Sequence, residues 1–443
     1  MRQAARAQRP RRRLLTSAVL AAVLGLLLSA CSDGHQEVRA LPGAGWPMYG
    51  GDNANANYTP LTAANGLALS WSRETGGPIT TPVTLNPHGE LGVTAATEAG
   101  CNLFIFGRTG GRKNWCKKMA AGVTRNAPSF DQNSQPFIGE SSMLLAFNGG
   151  GNIRWRMPVI GLPVSVKFAG PGGVLMVTNQ GQILLLDAQT NVFRAPEVRL
   201  WPDADPEQPL AGIAECTTGG PGCAVSAPPA VDESRERFYL NFVPPGASAA
   251  RLTAMSYGRP DAPSDFAHEI SQRWQVEVPG GMMGPPALSA DGGTVYAFGR
   301  DGRLHAFDAD DGTERWNHDL GGFGFATLTV SPDGVIIPAG GIGAPLTILR
   351  DHGDRVEVRA LRRDLKTVSL ATQTGADTAW TVVRTGGAAD PLDLIEVSTT
   401  DGATKRTLRL PGATGFTTGV AVSQYGDLAV AANNGEVFYF SPR

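Results

Sequence analysis

The sequence predicts an all-β fold of repeated four-stranded units set around an axis, and three observations predict it. The first is a double hairpin. Thr294 to Phe298 alternate, Arg300-Asp301-Gly302 turns the chain, and Leu304, Ala306 and Asp308 alternate again. Asp310-Asp311-Gly312 then turns it once more into Glu314 to Trp316. Asp-Gly between apolar alternations is a hairpin signal, because Gly takes the positive φ of tight turns. The second is spacing. A position ending each outer strand recurs at Trp71, Trp115, Trp155, Ala195, Trp274, Trp316, Val358 and Arg406. Most steps are roughly 40 to 48 residues, the period of a propeller blade. The third is a small-residue, proline-bearing inner strand. It is plain at Thr81-Pro82-Val83, Ala127-Pro128-Ser129, Leu162-Pro163-Val164, Ala227 to Ala230 and Gly284 to Ala287. It continues in weaker form at Ala326 to Val330, Val368 to Leu370 and Thr418 to Val422. Small residues suit the crowded strands around a central channel. Both markers count to eight, so the expected fold is an eight-bladed β-propeller.

The ends of the chain predict how the ring closes. Glu436 to Phe440 reads as a third strand with no fourth after it, and Leu67 to Trp71 as an outer strand with none before it. Pairing the two completes the last blade and removes open edges. The step from Ala195 to Trp274 is double length but holds one inner-strand signal, at Ser226 to Val231. An insertion around residues 200–225 accounts for it, and the Pro-rich acidic run Pro202 to Pro209 reads as a surface loop. The expected organisation is a leader over 1–30, a tether over 31–45 and one propeller over 46–443.

The leader reads as an address. Arg2, Arg6, Arg9, Arg11, Arg12 and Arg13 precede an apolar run from Leu14 to Ala30, too short for a confident membrane span. Leu28-Ser29-Ala30-Cys31 resembles a bacterial lipobox, which implies a lipidated Cys31 at the mature N-terminus, a membrane anchor and an extracytoplasmic envelope location. Arg11 to Leu15 also resembles a twin-arginine signal, so the export route stays open. Outside the cytoplasm disulfides persist, and Cys101, Cys116, Cys216 and Cys223 remain beside Cys31. Cys101 and Cys116 flank a turn near Arg108 to Gly111, on neighbouring strands of one blade. Cys216 and Cys223 enclose a short Gly-rich loop. Cys101–Cys116 and Cys216–Cys223 are the expected pairs; free thiols or a shared metal are the alternatives. The whole chain has a formal charge of −2, and loss of the arginine-rich leader takes it to about −8, which argues against nucleic acid as partner.

Ala306, Asp308, Gly312 and Trp316 fit the pattern Ala-x-Asp-x-x-Thr-Gly-x-x-x-Trp, with Asp311 in place of Thr. The stretch resembles the propeller repeat of pyrroloquinoline-quinone (PQQ) proteins. The resemblance implies that Trp71, Trp115, Trp155, Trp274 and Trp316 dock one blade on the next and are not catalytic. Trp46 to Leu61 resembles the opening of quinoprotein alcohol dehydrogenases, with Asn57 where that family has Arg. An alcohol or sugar dehydrogenase using PQQ with Ca²⁺ is therefore one expectation. The chain departs from that family: no two cysteines are adjacent, and no Glu, Asn and Asp set for calcium and a general base falls on a motif. A propeller without active-site insertions also resembles the barrel-assembly lipoprotein of Gram-negative outer membranes.

Other chemistry is faint. The six histidines are dispersed, without a His-Glu-x-x-His pair. Asp308 to Gly312 lacks the fifth- and twelfth-position ligands of a calcium loop and reads as a turn. Trp46, Tyr49 and Tyr58 are packing residues or a ligand funnel. The leading expectation is a non-catalytic, lipid-anchored envelope propeller that binds an unidentified protein, with no cofactor and no metal. The rivals are the PQQ enzyme and a glycan-binding module stacking sugars on Trp and Tyr.

Overall fold

The computed structural model describes residues 40–322, 324, 325, 327–386 and 391–443. The expected leader, Cys31 and most of the tether lie outside them. Eight four-stranded antiparallel blades follow in chain order. Their first strands are Thr84–Leu85, Ser129–Phe130, Pro163–Phe168, Ala230–Asp232, Met282–Leu288, Thr327–Val330, Thr372–Thr374 and Thr417–Val422. These first strands contact one another and surround the axis. The outer strands are Lys113–Lys117, Ile153–Pro158, Val198–Arg199, Ser271–Glu277, Glu314–Asp319, Val356–Thr367, Thr404–Leu410 and, for blade 8, Leu67–Glu74. Leu67–Glu74 runs antiparallel to Glu436–Pro442, so the two ends of the chain share one blade and close the ring. Blades 6 and 7 form one continuous sheet, because Lys366 and Thr367 pair with Arg384 and Val383.

The hydrophobic core lies in the seams. Trp71, Val437 and Tyr439 of blade 8 pack with Leu91, Val93, Phe104 and Phe106 of blade 1. Leu144, Ala146 and Trp155 of blade 2 pack likewise with Val174, Met176 and Leu184 of blade 3. Each blade therefore buries its apolar faces against its neighbours, and none is a separate core.

A β-bulge sets seven of the eight seams, all but that of blade 3. One extra residue interrupts the outer strand at Ser70, Asn114, Arg154, Arg273, Arg315, Arg359 and Lys405. A bulge re-aims the side chain beside it, and here the next residue points into the seam. The indole Nε1 of Trp71 donates to Arg108 O (2.8 Å), Trp115 to Gly149 O (2.9 Å), Trp155 to Ala188 O (3.0 Å) and Trp274 to Ala309 O (3.2 Å). Trp316 donates to the Asp351 carboxylate at 2.9 Å. Every acceptor belongs to the next blade.

The register corrects two positions. In blade 6 the residue after the bulge is Ala360, not Val358, because Ala360 pairs with Ile348 and Val358 with Leu349. No Trp marks the place, and counting residues cannot see the bulge. In blade 7 the inner strand is Thr372–Thr374, not Val368 to Leu370. A small-residue run without proline gave no register, and the structure sets it by parallel pairing of Tyr58–Thr59 with Gln373 and Thr374.

The segment between blades 3 and 4 holds a short helix, Ile213–Cys216, and the disulfide Cys216–Cys223. Cys101–Cys116 lies within blade 1, where Cys116 pairs with Phe104 across the outer two strands.

The seam geometry predicts the outcome of a paired substitution. Gly110 and Gly111 both have positive φ, but a Cβ on Gly110 meets nothing within 4 Å, whereas one on Gly111 would lie 2.4 Å from the Trp71 ring. Gly110→Ala should cost about 1 kcal/mol from backbone strain alone. Gly111→Ala should cost about 1–3 kcal/mol more from the collision, read as the difference between their denaturant midpoints.

Candidate functional site: the two mouths of the channel

At one mouth the inner strands end with backbone N–H groups that have no further strand to bond. Residues Trp46 to Ala64 supply the acceptors. Leu85 N of blade 1 donates to Trp46 O (2.7 Å) and Phe130 N of blade 2 to Pro47 O (2.8 Å). Phe168 N of blade 3 donates to the Asn53 side chain (3.1 Å), and Val231 N of blade 4 to Asn53 O (2.8 Å). Leu288 N of blade 5 reaches Ala54 O (3.0 Å), Val330 N of blade 6 Ala56 O (2.9 Å), and Gln373 N of blade 7 Asn57 O (2.9 Å). Ala64 N then donates to Gly426 O of blade 8 at 2.9 Å. The segment is a belt that meets the blades in their chain order. Its composition permits this. Gly50, Gly51, Asn55 and Asn57 take positive φ, which Gly and Asn tolerate best. Asn55 and Asn57 also point inward, with the Asn55 amide donating to Pro228 O (3.1 Å) and Pro286 O (3.0 Å).

Lys167, at the end of blade 3's inner strand, fixes the belt from below. Its side chain is fully buried. The ammonium donates to Tyr49 O (2.9 Å), Asp52 O (2.7 Å) and the Asn55 side-chain oxygen (2.6 Å). Three acceptors match its three donors. Burial pulls the Lys167 ammonium down, and the charge of Asp52 opposes that. Burial likewise pushes the Asp52 carboxyl up to about 6, against the Ala56 N–H it accepts and the Lys167 charge.

Above the belt lies a depression of about 610 Å³, walled by the turns of blades 4 to 6 at Asp232 to Ser234, Leu288 to Gly292 and Pro332. Its carboxylates are engaged in local structure. Asp232 holds Ser234 and Arg235, Glu233 accepts from Asn53, and Asp291 accepts from Ser289. Asp52 lines it as well and accepts Ala56 N at 3.0 Å.

The opposite mouth is crossed by the disulfide-stapled insertion. Asn179 and Gln180 of blade 3 donate to Ala211 O (3.2 Å) and Gln208 O (2.7 Å). Arg125, in the turn entering blade 2, donates to Thr217 at 3.0 Å, and Arg300 of blade 5 donates to Thr218 O. Blades 2 and 5 stand three places apart in a ring of eight, so the insertion reaches over the axis.

The residues singled out in the sequence are dispersed. Trp46 is buried in the seam of blades 8 and 1, and Tyr58 lines the depression. His305 is 1% exposed and bridges Glu314 (2.8 Å) and Asp301 (3.2 Å) within blade 5. Asp308 accepts Asp310 N and pairs with Arg315, as turn chemistry requires. Among the described residues no group of three or more His, Cys, Asp or Glu side chains could hold a metal ion. The four described cysteines are in disulfides. Lys167 gave no warning in the sequence, being one cation in an otherwise apolar and small-residue strand.

The comparisons agree with this architecture. The family model described as outer membrane protein assembly factor BamB matches residues 271–442. Solved structures with the same fold include BamB from Moraxella catarrhalis, at TM-score 0.55 and 16% identity over 85% of this chain and 99% of that one. The quinohemoprotein alcohol dehydrogenase of Comamonas testosteroni gives TM-score 0.60 and 12% identity over 90% of this chain and 81% of that one. These likenesses establish the fold: the chain is a PQQ-like β-propeller similar to BamB. Among curated proteins, protein Rv3035 of Mycobacterium tuberculosis is 32% identical over 419 residues, covering 94% of this chain and 100% of the relative. The chain belongs to the family of that protein.

Asp52 gives the belt a pH signature. Its folded pKa of about 6 lies above the unfolded value of about 3.9. The folded state then holds more protons between those values. Stability from this group is full below about pH 4 and is lost as pH rises through about 6. Asp52→Asn should remove that slope, so the variant's melting temperature should gain on the parent's from pH 4 to pH 7. A constant difference across that range would refute the assignment.

Proposed function

We propose that this protein is a lipid-anchored β-propeller of the cell envelope that acts as a protein-binding scaffold and has no catalytic centre. The observation that carries the reading is the belt. The chain's own backbone takes up the tips of the inner strands at one mouth. The insertion crosses the other mouth. What the ring still offers a ligand is its loops and outer strands, which suit macromolecular contact more than a buried reaction. Fold alone does not assign activity, since the same architecture is found in BamB and in a dehydrogenase.

The envelope location rests on Cys31 and its lipobox, and two disulfides suit an oxidising compartment. A diacylated Cys31 would hold the propeller at a membrane, on the extracytoplasmic side. Among the described residues no helix is long and apolar enough to cross a membrane.

Mild detergent extraction followed by affinity capture of the full chain should recover a stoichiometric protein partner. Repeated recovery of the protein alone would count against the scaffold. Mass spectrometry of the mature N-terminus should find acyl chains on Cys31, and Cys31→Ser should release the protein from membranes. PQQ with Ca²⁺ should leave the melting temperature unchanged. A ligand at a hundred times its dissociation constant adds about 2.7 kcal/mol, so a clear upward shift would restore the dehydrogenase reading.

A further inference from the structure

We propose that the outer strand of blade 6, Val356–Thr367, is a docking edge that accepts an extended, acidic segment of a partner protein as an added β-strand. The proposal rests on the scaffold reading and names the surface and the chemistry of its partner. The strand combines length, a free edge, a thin seam with exposed apolar side chains, and unpaired cations.

It is the longest strand among the described residues, with 12 residues. On its inner side Val356 to Arg362 pair with Asp351 to Leu346. On its outer side only Lys366 and Thr367 find a strand, in blade 7. From Val356 to Leu365 the outer edge has no strand partner among the described residues, and such an edge is a template for another chain.

Its seam is thin. The Trp that blades 1, 2, 4, 5 and 8 drive into the next blade is Ala360 here. A Cβ on Gly402 of blade 7 would meet that alanine's Cβ at 3.0 Å. The side chains flanking Ala360 turn outward, with Val358 45% exposed and Leu361 43% exposed. The exposed positions of the outer strands of blades 1, 4, 5 and 7 are polar or charged: Lys113 and Asn114, Ser271 to Arg273, Glu314 and Arg315, Thr404 and Lys405. Blade 8 exposes one leucine, Leu69, at 39%.

The strand is also basic on an acidic molecule. It carries Arg359, Arg362, Arg363 and Lys366 against Glu357 and Asp364. Both acids are engaged, Glu357 by His352 at 3.0 Å and Asp364 by Arg362 at 2.6 Å. Among the described residues Arg359, Arg363 and Lys366 have no carboxylate partner. Acidic side chains alternating with apolar ones would meet both the free cations and the exposed Val358 and Leu361. A second copy fits poorly, because edge-to-edge pairing would bring arginine-rich stripes together.

The test uses a fluorescent eight-residue peptide of alternating valine and glutamate, titrated by anisotropy against the detergent-solubilised full chain. Saturable binding that weakens with salt is expected. Arg359→Glu with Arg363→Glu should weaken it at least tenfold, and Val358→Ser with Leu361→Ser several-fold, at unchanged melting temperature. Arg273→Glu, on the outer strand of blade 4, should leave it unchanged. No saturable binding, or equal loss in the Arg273→Glu variant, would overturn the proposal. So would a dimer in light scattering that the blade 6 charge reversal dissolves, since the occupant would then be a second copy. A captured partner that stays bound to the charge-reversed protein would remove this edge while leaving the scaffold reading intact.

Discussion

A closed ring of blades leaves one set of backbone groups without partners. The inner strands pair only outward along their own blades, and their tips converge on the axis. Buried N–H groups left there would each cost on the order of 1–3 kcal/mol. The belt removes that cost for Leu85, Phe130, Val231, Leu288, Val330 and Gln373 with one stretch of main chain. It also ties the blades together in a way that neighbour-to-neighbour packing cannot, because a single segment bonds to all of them. The buried Lys167 follows from this. Three inward oxygens on a tight curve need a donor with three N–H groups, and an ammonium on a flexible stem meets that need.

The outside of the ring is held by a different device. Bulge and indole recur together, so each Trp crosses to the turn of the following blade and its N–H finds an acceptor there. Where the Trp is missing the structure substitutes. After Ala195 in blade 3, Trp201 donates to Val243 O of blade 4 at 2.8 Å. In blade 7, Arg406 lies 4.9 Å over the Trp380 ring and donates to Ala64 O at the end of the belt. In blade 6 the substitute is a continuous sheet into blade 7 together with the Arg362 bond to Gly402 O. That last seam keeps its strands aligned but leaves apolar side chains outside.

These differences explain what was legible in the sequence. Hairpin turns and docking tryptophans are local or periodic, so the eight blades and the closing strand pair could be read from them. The cysteine pairs were legible because each encloses a short loop. The belt was not, since its bonds join Asn55 to Pro228 and Pro286, more than 170 residues away. No periodicity reports such a contact, and the sequence showed only Gly and Asn where unusual φ values are needed. Val358 was mistaken for the docking residue for a related reason: a one-residue bulge is invisible to counting when no Trp follows it. Lys167 was missed because a lone cation in a strand reads as solvent-facing until the three acceptors above it are known.

The same ring can carry a reaction or a binding surface, and the additions to it bear on which. An enzyme on this frame needs an open, polar and partly unsatisfied space at the axis, because unsatisfied groups are what a substrate or cofactor completes. In this chain the inner-strand backbone N–H groups at the belted mouth are completed internally by Trp46 to Ala64, and Asp232 and Asp291 of the depression hold their own turns. The free cations and exposed apolar side chains of blade 6 lie at the periphery. Binding free energy comes from satisfying what folding leaves unsatisfied, so the periphery is where a partner has most to gain.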